Sequence, residues 1–272
     1  MKGTRVRICL RAIGRGLRCT TDTVRLIALL PALYRIYRSN AARIYHYGIE
    51  SIPAELRKIS LWHSNFLGLT DFWKDDRGFH VIFERAQEVD GNNVVRCFML
   101  YQFLKLTDSI RGDVAEVGVY KGRTAKVLAL ASRERGKEVR LFDTFSGMPD
   151  TDPRRDNFYH KGAFSDTSLS QVETFLSDCD NVTMYPGFFP ETSAPVSDKT
   201  FSFVHVDADI YRSVLDCCRF FYPRMARNGI MIFDDPGFSD CRGAKIAVDE
   251  FFSDKQETPC HLATAQVLVL KR

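Results

Sequence analysis

From residue 113 to the end of the chain, short apolar runs alternate with stretches of helical periodicity. No other feature restricts the fold as much. The runs at 114–119, 139–142, 182–185, 201–206 and 229–233 are four to six residues long and mostly apolar, as buried strands are. Residues 124–133, 168–177, 213–222 and 241–252 carry apolar residues at helical spacing, and 265–270 reads as a closing strand. Alternating strands and helices predict an α/β domain, with a mostly parallel, Rossmann-like sheet and helices on both faces. Ligands of such sheets bind beyond the carboxyl ends of the strands.

Two of those ends are acidic. His205-Val206-Asp207-Ala208-Asp209 closes one run and Phe233-Asp234-Asp235-Pro236 closes another. Four bare carboxylates at neighbouring strand ends repel one another. A hard divalent cation relieves that repulsion, since carboxylate oxygens suit magnesium and calcium. Turn-forming and helix-capping roles account for one or two of the four, not all of them.

The first strand leads through Glu116-Val117-Gly118-Val119-Tyr120-Lys121-Gly122 into a helix. Glycines at such a turn let the backbone approach a ligand at a helix N-terminus. The spacing is not the G-x-G-x-x-G of dinucleotide binders, and Glu116 would oppose a pyrophosphate. It suits a cationic ligand, such as the amino group of S-adenosylmethionine. A tight turn without a ligand explains this motif equally well on its own. Asp143 ends the second strand, 21 residues after Gly122, where an acid can bind ribose hydroxyls. A capping or turn role is the alternative. Together, the turn and Asp143 favour a nucleoside.

Upstream, 79–106 reads as two helices broken at Gly91-Asn92-Asn93, whereas 45–75 shows no clear period. The expected organisation is a basic helical arm over 1–44, a helical substrate-side segment over 45–110 and a catalytic domain over 111–272. The arm holds ten Lys and Arg against one acid, Asp22, a net of about +9. The remaining 28 basic and 33 acidic residues come to about −5. Two readings of the arm stand. It packs on the body or on a second subunit of a homo-oligomer, or it lies on anionic lipid with Leu26, Ile27, Leu29, Leu30 and Leu33 dipped into the surface. The apolar stretch is too short to span a bilayer, it has no cleavage-site pattern, and no nucleic-acid recognition motif accompanies it. Eight cysteines without a CxxC pair fit a reducing cytoplasm; on the lipid reading the arm would meet the inner membrane surface.

Several motifs carry a resemblance: Gly112-Asp113-Val114-Ala115-Glu116-Val117-Gly118-Val119-Tyr120-Lys121-Gly122, Phe142-Asp143-Thr144-Phe145-Ser146-Gly147-Met148-Pro149 and Pro186-Gly187-Phe188-Phe189-Pro190-Glu191-Thr192. Val206-Asp207-Ala208-Asp209-Ile210-Tyr211, Gly229-Ile230-Met231-Ile232-Phe233-Asp234-Asp235 and Cys241-Arg242-Gly243-Ala244-Lys245 extend it. Over roughly 79–272 the chain resembles the macrocin O-methyltransferase family of magnesium-dependent, class I sugar O-methyltransferases. The resemblance implies S-adenosylmethionine held by Glu116, Gly118, Gly122, Asp143, Thr144, Phe145 and Gly187. It implies Mg2+ on Asp207, Asp234 and Asp235, with Asp209 as general base. The acceptor is then a hydroxylated or glycosylated small molecule. Pro236 departs from the aromatic that the family usually places after the acidic pair.

Residues 148–163 read as a mobile loop and a lid. His160 within it is a candidate second base, His80 a candidate neighbour of the acceptor, and His205 a packed residue behind the acids. Two rival readings are a nicotinamide oxidoreductase, which the missing dinucleotide fingerprint opposes, and a non-catalytic membrane-associated module, which the basic arm motivates.

Overall fold

The computed structural model describes residues 72–272 apart from 88 and 90–93. The basic arm, the greater part of the 45–75 stretch and the Gly91-Asn92-Asn93 break lie outside the described residues. A short 3-10 turn, Phe72–Asp75, leads into α1 (Arg77–Ala86) and α2 (Val94–Leu106). The Asp76 carboxylate accepts the Phe79 amide at 2.9 Å and so caps α1.

The alternating region then runs β1 (Asp113–Val117), α3 (Arg123–Arg133), β2 (Val139–Asp143), α4 (Leu169–Phe175) and β3 (Val182–Pro186). It continues through β4 (Phe201–Val206), α5 (Tyr211–Phe221), β5 (Met225–Phe233), α6 (Arg242–Phe252), β6 (Cys260–His261) and β7 (Val267–Leu270). The seven strands lie in the order β3-β2-β1-β4-β5-β7-β6. Strands β1 to β5 pair in parallel, and β7 runs antiparallel to both β5 and β6. The doubly wound, mostly parallel sheet is therefore as expected.

Every residue of β4, the middle strand, is buried, as in sheets covered on both faces. The pleat sends Val114, Leu141, Phe203, Ile230 and Ile232 into a core with α1, α2, α3 and α4. Ala115, Val117, Phe142, Val204, Met231 and Phe233 pack with α5 and α6 on the other side. Each fully buried Phe or Leu contributes roughly 1.5–3 kcal/mol. Gly118, at φ +90°, is obligatory where β1 and β4 converge: a Cβ there would lie 1.7 Å from the Asp207 carbonyl oxygen. Among the described residues, no helix is long and apolar enough to cross a membrane.

Candidate active site

Side chains alternate across a strand, and this separates the acidic residues into two groups. Glu116, His205 and Asp234 share the face that α2 covers. His205 Nδ1 lies 2.8 Å from Glu116 Oε1, and both side chains are fully buried. His205 Nε2 is 3.3 Å from Asp234 Oδ1, which also accepts from Gln266 Nε2 at 2.7 Å. The other Asp234 oxygen is ion-paired with Arg96 of α2. The same guanidinium donates to the Asp234 carbonyl at 2.7 Å and lies 3.8 Å from Asp235 Oδ1. A buried carboxylate is costly unless paired and hydrogen-bonded, and Asp234 has both kinds of partner. Burial pushes the Glu116 carboxyl up, against the pull of His205.

Asp235 belongs to the second group. The Asp209 amide donates to Asp235 Oδ2 at 2.9 Å, and the Cys241 thiol to Asp209 Oδ1 at 3.6 Å. Asp209 adopts φ +55°, unusual for a residue other than glycine. Burial, and then the neighbouring Asp207, push its carboxyl up to about 8, opposed by the Cys241 hydrogen bond. Burial, Asp209 and Asp207 drive Asp235 well above the carboxylate range. The ligating atoms of His205, Asp207 and Asp234 lie within 4.8 Å of one another, as do those of Asp209, Asp235 and Cys241. Each group offers two carboxylates beside one histidine nitrogen or one cysteine sulfur, and it is the carboxylate oxygens that suit a hard cation such as magnesium. Both oxygens of Asp234 are engaged by protein groups, Oδ1 by Gln266 and His205 and Oδ2 by Arg96.

Where the sequence suggested a nucleoside, Asp143 Oδ2 accepts the amides of Val119 (2.7 Å) and Tyr120 (2.9 Å), and Oδ1 accepts that of Phe145 (2.6 Å). The carboxylate thus orders the turn after β1, and a carboxylate's four or so acceptor positions leave capacity for a ligand hydroxyl. Gly122, at φ +91°, precedes α3 without a side-chain cap. The Gly187 amide donates to the Asp143 carbonyl at 2.8 Å. Thr144 and Gly187 line a cleft of about 410 Å3 together with Gly147, Met148 and Phe188. Phe145 is buried beside it, at φ +51°. Glu116, expected to meet a cofactor amino group, is buried with Oε1 against His205, and its Oε2 has no hydrogen-bond partner.

His205 is the packed residue the sequence implied. His80 Nε2 donates to the Lys74 carbonyl at 2.8 Å, and His160 is exposed. Sequence reasoning missed Arg96, Gln266, Cys241 and Tyr159. Arg96 had a signal: an arginine inside the apolar run Val94-Val95-Arg96-Cys97-Phe98-Met99-Leu100 must be paired if the helix is buried. Tyr159 lies near Asp209, Cys241 and Asp235, and burial together with those groups pushes its hydroxyl up.

The sequence model of the macrocin-O-methyltransferase family (TylF) matches residues 101–263. Mycinamicin III 3''-O-methyltransferase of Micromonospora griseorubida is 30% identical over 154 residues, 51% of this chain and 61% of that protein. The 8-demethyl-8-(2,3-dimethoxy-alpha-L-rhamnosyl)-tetracenomycin-C 4'-O-methyltransferase of Streptomyces olivaceus is 28% identical over 153 residues, 51% of this chain and 58% of that protein. The chain thus spans about three-fifths of the length of the curated relatives it matches. Among solved structures, the O-methyltransferase NovP superposes with a TM-score of 0.57 at 21% identity, over 70% of this chain and 87% of its own. The calicheamicin methyltransferase CalS11 gives 0.61 at 15% identity, over 80% and 93%. These two likenesses establish the fold.

Proposed function

This chain belongs to the macrocin-O-methyltransferase (TylF) family, and we propose that it transfers a methyl group from S-adenosylmethionine to a hydroxyl of a sugar or another polyhydroxylated acceptor. The observation that carries the reading is the meeting at one sheet rim of a nucleoside-type turn, ordered by Asp143, and a set of crowded carboxylates. The acceptor class follows the names of the curated relatives, which act on glycosylated compounds.

S-adenosylmethionine would supply the electrophilic methyl on its sulfonium. The turn from Gly118 to Gly122, Asp143 and the cleft beside Thr144 and Gly187 would bind it. Magnesium, which we include in the proposal, would supply Lewis acidity that makes a coordinated hydroxyl more acidic. Asp207 and Asp235 would hold it. Asp234 would brace this pair from behind through Arg96, Gln266 and His205.

Asp209 would remove the acceptor proton as the oxygen takes the methyl group. Its raised proton affinity suits a general base near neutral pH. Its left-handed backbone and its hydrogen bond from Cys241 fix where the carboxylate points, and positioning supplies much of the acceleration in such transfers.

The test uses isotopically labelled S-adenosylmethionine with deoxysugar glycosides, and with mycinamicin III, with and without magnesium. Label in a glycoside, lost on chelation, supports the reading. Label in none of them, with NAD bound in preference to S-adenosylhomocysteine, refutes it.

A further inference from the structure

The two helices that emerge from the acidic strand ends are both capped by a distant segment. Helix α5 begins two residues after Asp209, and α6 follows the Asp234-Asp235 end; neither has a side-chain cap of its own. The missing acceptors come from consecutive residues far away in sequence. Asp156 Oδ1 accepts the amide of Tyr211, the first residue of α5, at 2.9 Å. Asn157 Oδ1 accepts the amide of Arg242, the first residue of α6, at 3.3 Å, while its Nδ2 donates to the Ser239 carbonyl at 2.8 Å. The Arg155 guanidinium lies over the Tyr211 ring at 4.2 Å.

The rest of the molecule makes room for these contacts. A Cβ on Gly243, the second residue of α6, would lie 1.8 Å from Asp156 Oδ1. Asp156 Oδ2 in turn accepts the Asp152 amide at 2.7 Å, which closes the local turn. Two residues beyond Asn157, Tyr159 packs among the side chains of the α5–α6 face. Its ring stands 5.3 Å from Phe164, which stands 5.4 Å from Tyr120 in the turn after β1. One segment therefore spans from the nucleoside turn to the acidic rim, tied down at both helix N-termini.

We propose that Asp156 and Asn157 clamp residues 150–165 across the two acidic strand ends, and that the clamp makes Tyr159 a positioning residue for the acceptor at Asp209. The inference rests on the methyltransferase reading above. A single dipeptide ties both helix N-termini to one segment, beside the direct link from the Asp209 amide to Asp235. The same dipeptide sets the height of the Tyr159 ring above them. Aromatic rings offer an apolar face to the C–H face of a sugar while their polar edge stays free for water or hydroxyl.

The test compares the wild type with Asp156→Ala, Asp156→Asn and Asn157→Ala. Hydrogen exchange is measured over 150–165 and at the amides of Tyr211 and Arg242. Binding of S-adenosylhomocysteine and kinetics on a panel of deoxysugar glycosides are measured alongside. Asp156→Ala is expected to speed exchange at all of these positions. It should lower acceptor kcat/KM by roughly 10- to 100-fold, chiefly through KM, with S-adenosylhomocysteine affinity held within about twofold. Asp156→Asn keeps one accepting oxygen for the Tyr211 amide but sets its NH2 against the Asp152 N–H, so it should restore only part of both; Asn157→Ala should act like Asp156→Ala and serves if that variant does not fold. Unchanged exchange in both alanine variants overturns the clamp. Faster exchange with unaltered acceptor KM overturns the positioning role. A wild type that labels no glycoside refutes the methyltransferase reading itself, while the exchange measurements still judge the clamp separately.

Discussion

Arg96 and Asp234 form a buried ion pair that joins helix α2, which precedes the sheet, to the carboxyl end of β5. The pair leaves both members dependent on each other. Arg96→Met would strand a fully buried carboxylate, and breaking a buried pair costs about 3–5 kcal/mol. At roughly 2–4 °C per kcal/mol for a domain of this size, a fall in Tm of about 10 °C is expected in thermal denaturation. Asp234→Asn combined with Arg96→Met should recover part of that loss, because neither charge is then unpaired.

The division of the acidic pair predicts unequal effects on metal binding. Titrated with Mn2+ and followed by electron paramagnetic resonance, Asp235→Asn should lower affinity at least about tenfold. Asp234→Asn should lower it by less, on the order of twofold, and show its main effect in stability, because Asp234 answers to Arg96, Gln266 and His205. The reverse order would place Asp234 in the metal shell.

Asp143 offers three acceptor contacts to the turn amides. Asp143→Ala removes them all, and hydrogen bonds to a charged group are each worth roughly 1.5–3 kcal/mol. Affinity for S-adenosylhomocysteine, measured by calorimetry, should fall by at least about tenfold, with a smaller loss of Tm.

Glu257 gives a pH-dependent test far from the site. Burial alone would push its carboxyl up, but hydrogen bonds from Tyr222 (2.6 Å), the Arg272 amide (3.1 Å) and Lys271 (3.0 Å) outweigh it. They hold it down at about 2, below its ordinary 4.5. A depressed pKa contributes stability that is complete above the unfolded value and is lost as pH falls from about 4.5 towards 2. Glu257→Gln should therefore be less stable than the wild type at pH 7 in denaturant unfolding, and the gap should narrow by pH 3.

The α/β alternation was legible because each central strand is an apolar run of its own, and α2, α3, α5 and α6 start and stop within two residues of their expected bounds. Strand β5 starts at Met225 rather than 229 because Met225 pairs with Phe201 across a register shift; its polar Arg227 and Asn228 hid that extension. The antiparallel direction of β7 is set by a neighbour, and no local period records it. The same limit applies to the site. The four aspartates could be read from the sequence, since they follow strands directly. Their separation into two faces depends on the pleat and on Arg96 arriving from α2, and the capping by Asp156 and Asn157 joins residues more than fifty positions apart.

The most direct test of the central claim is transfer of labelled methyl from S-adenosylmethionine to a deoxysugar glycoside by the wild type and by Asp209→Asn. Label is expected in the glycoside with the wild type. The variant should lose roughly 10²- to 10⁴-fold in kcat, with S-adenosylhomocysteine binding preserved. Undiminished transfer by Asp209→Asn would contradict the assignment of the base, and transfer by neither protein would contradict the activity itself.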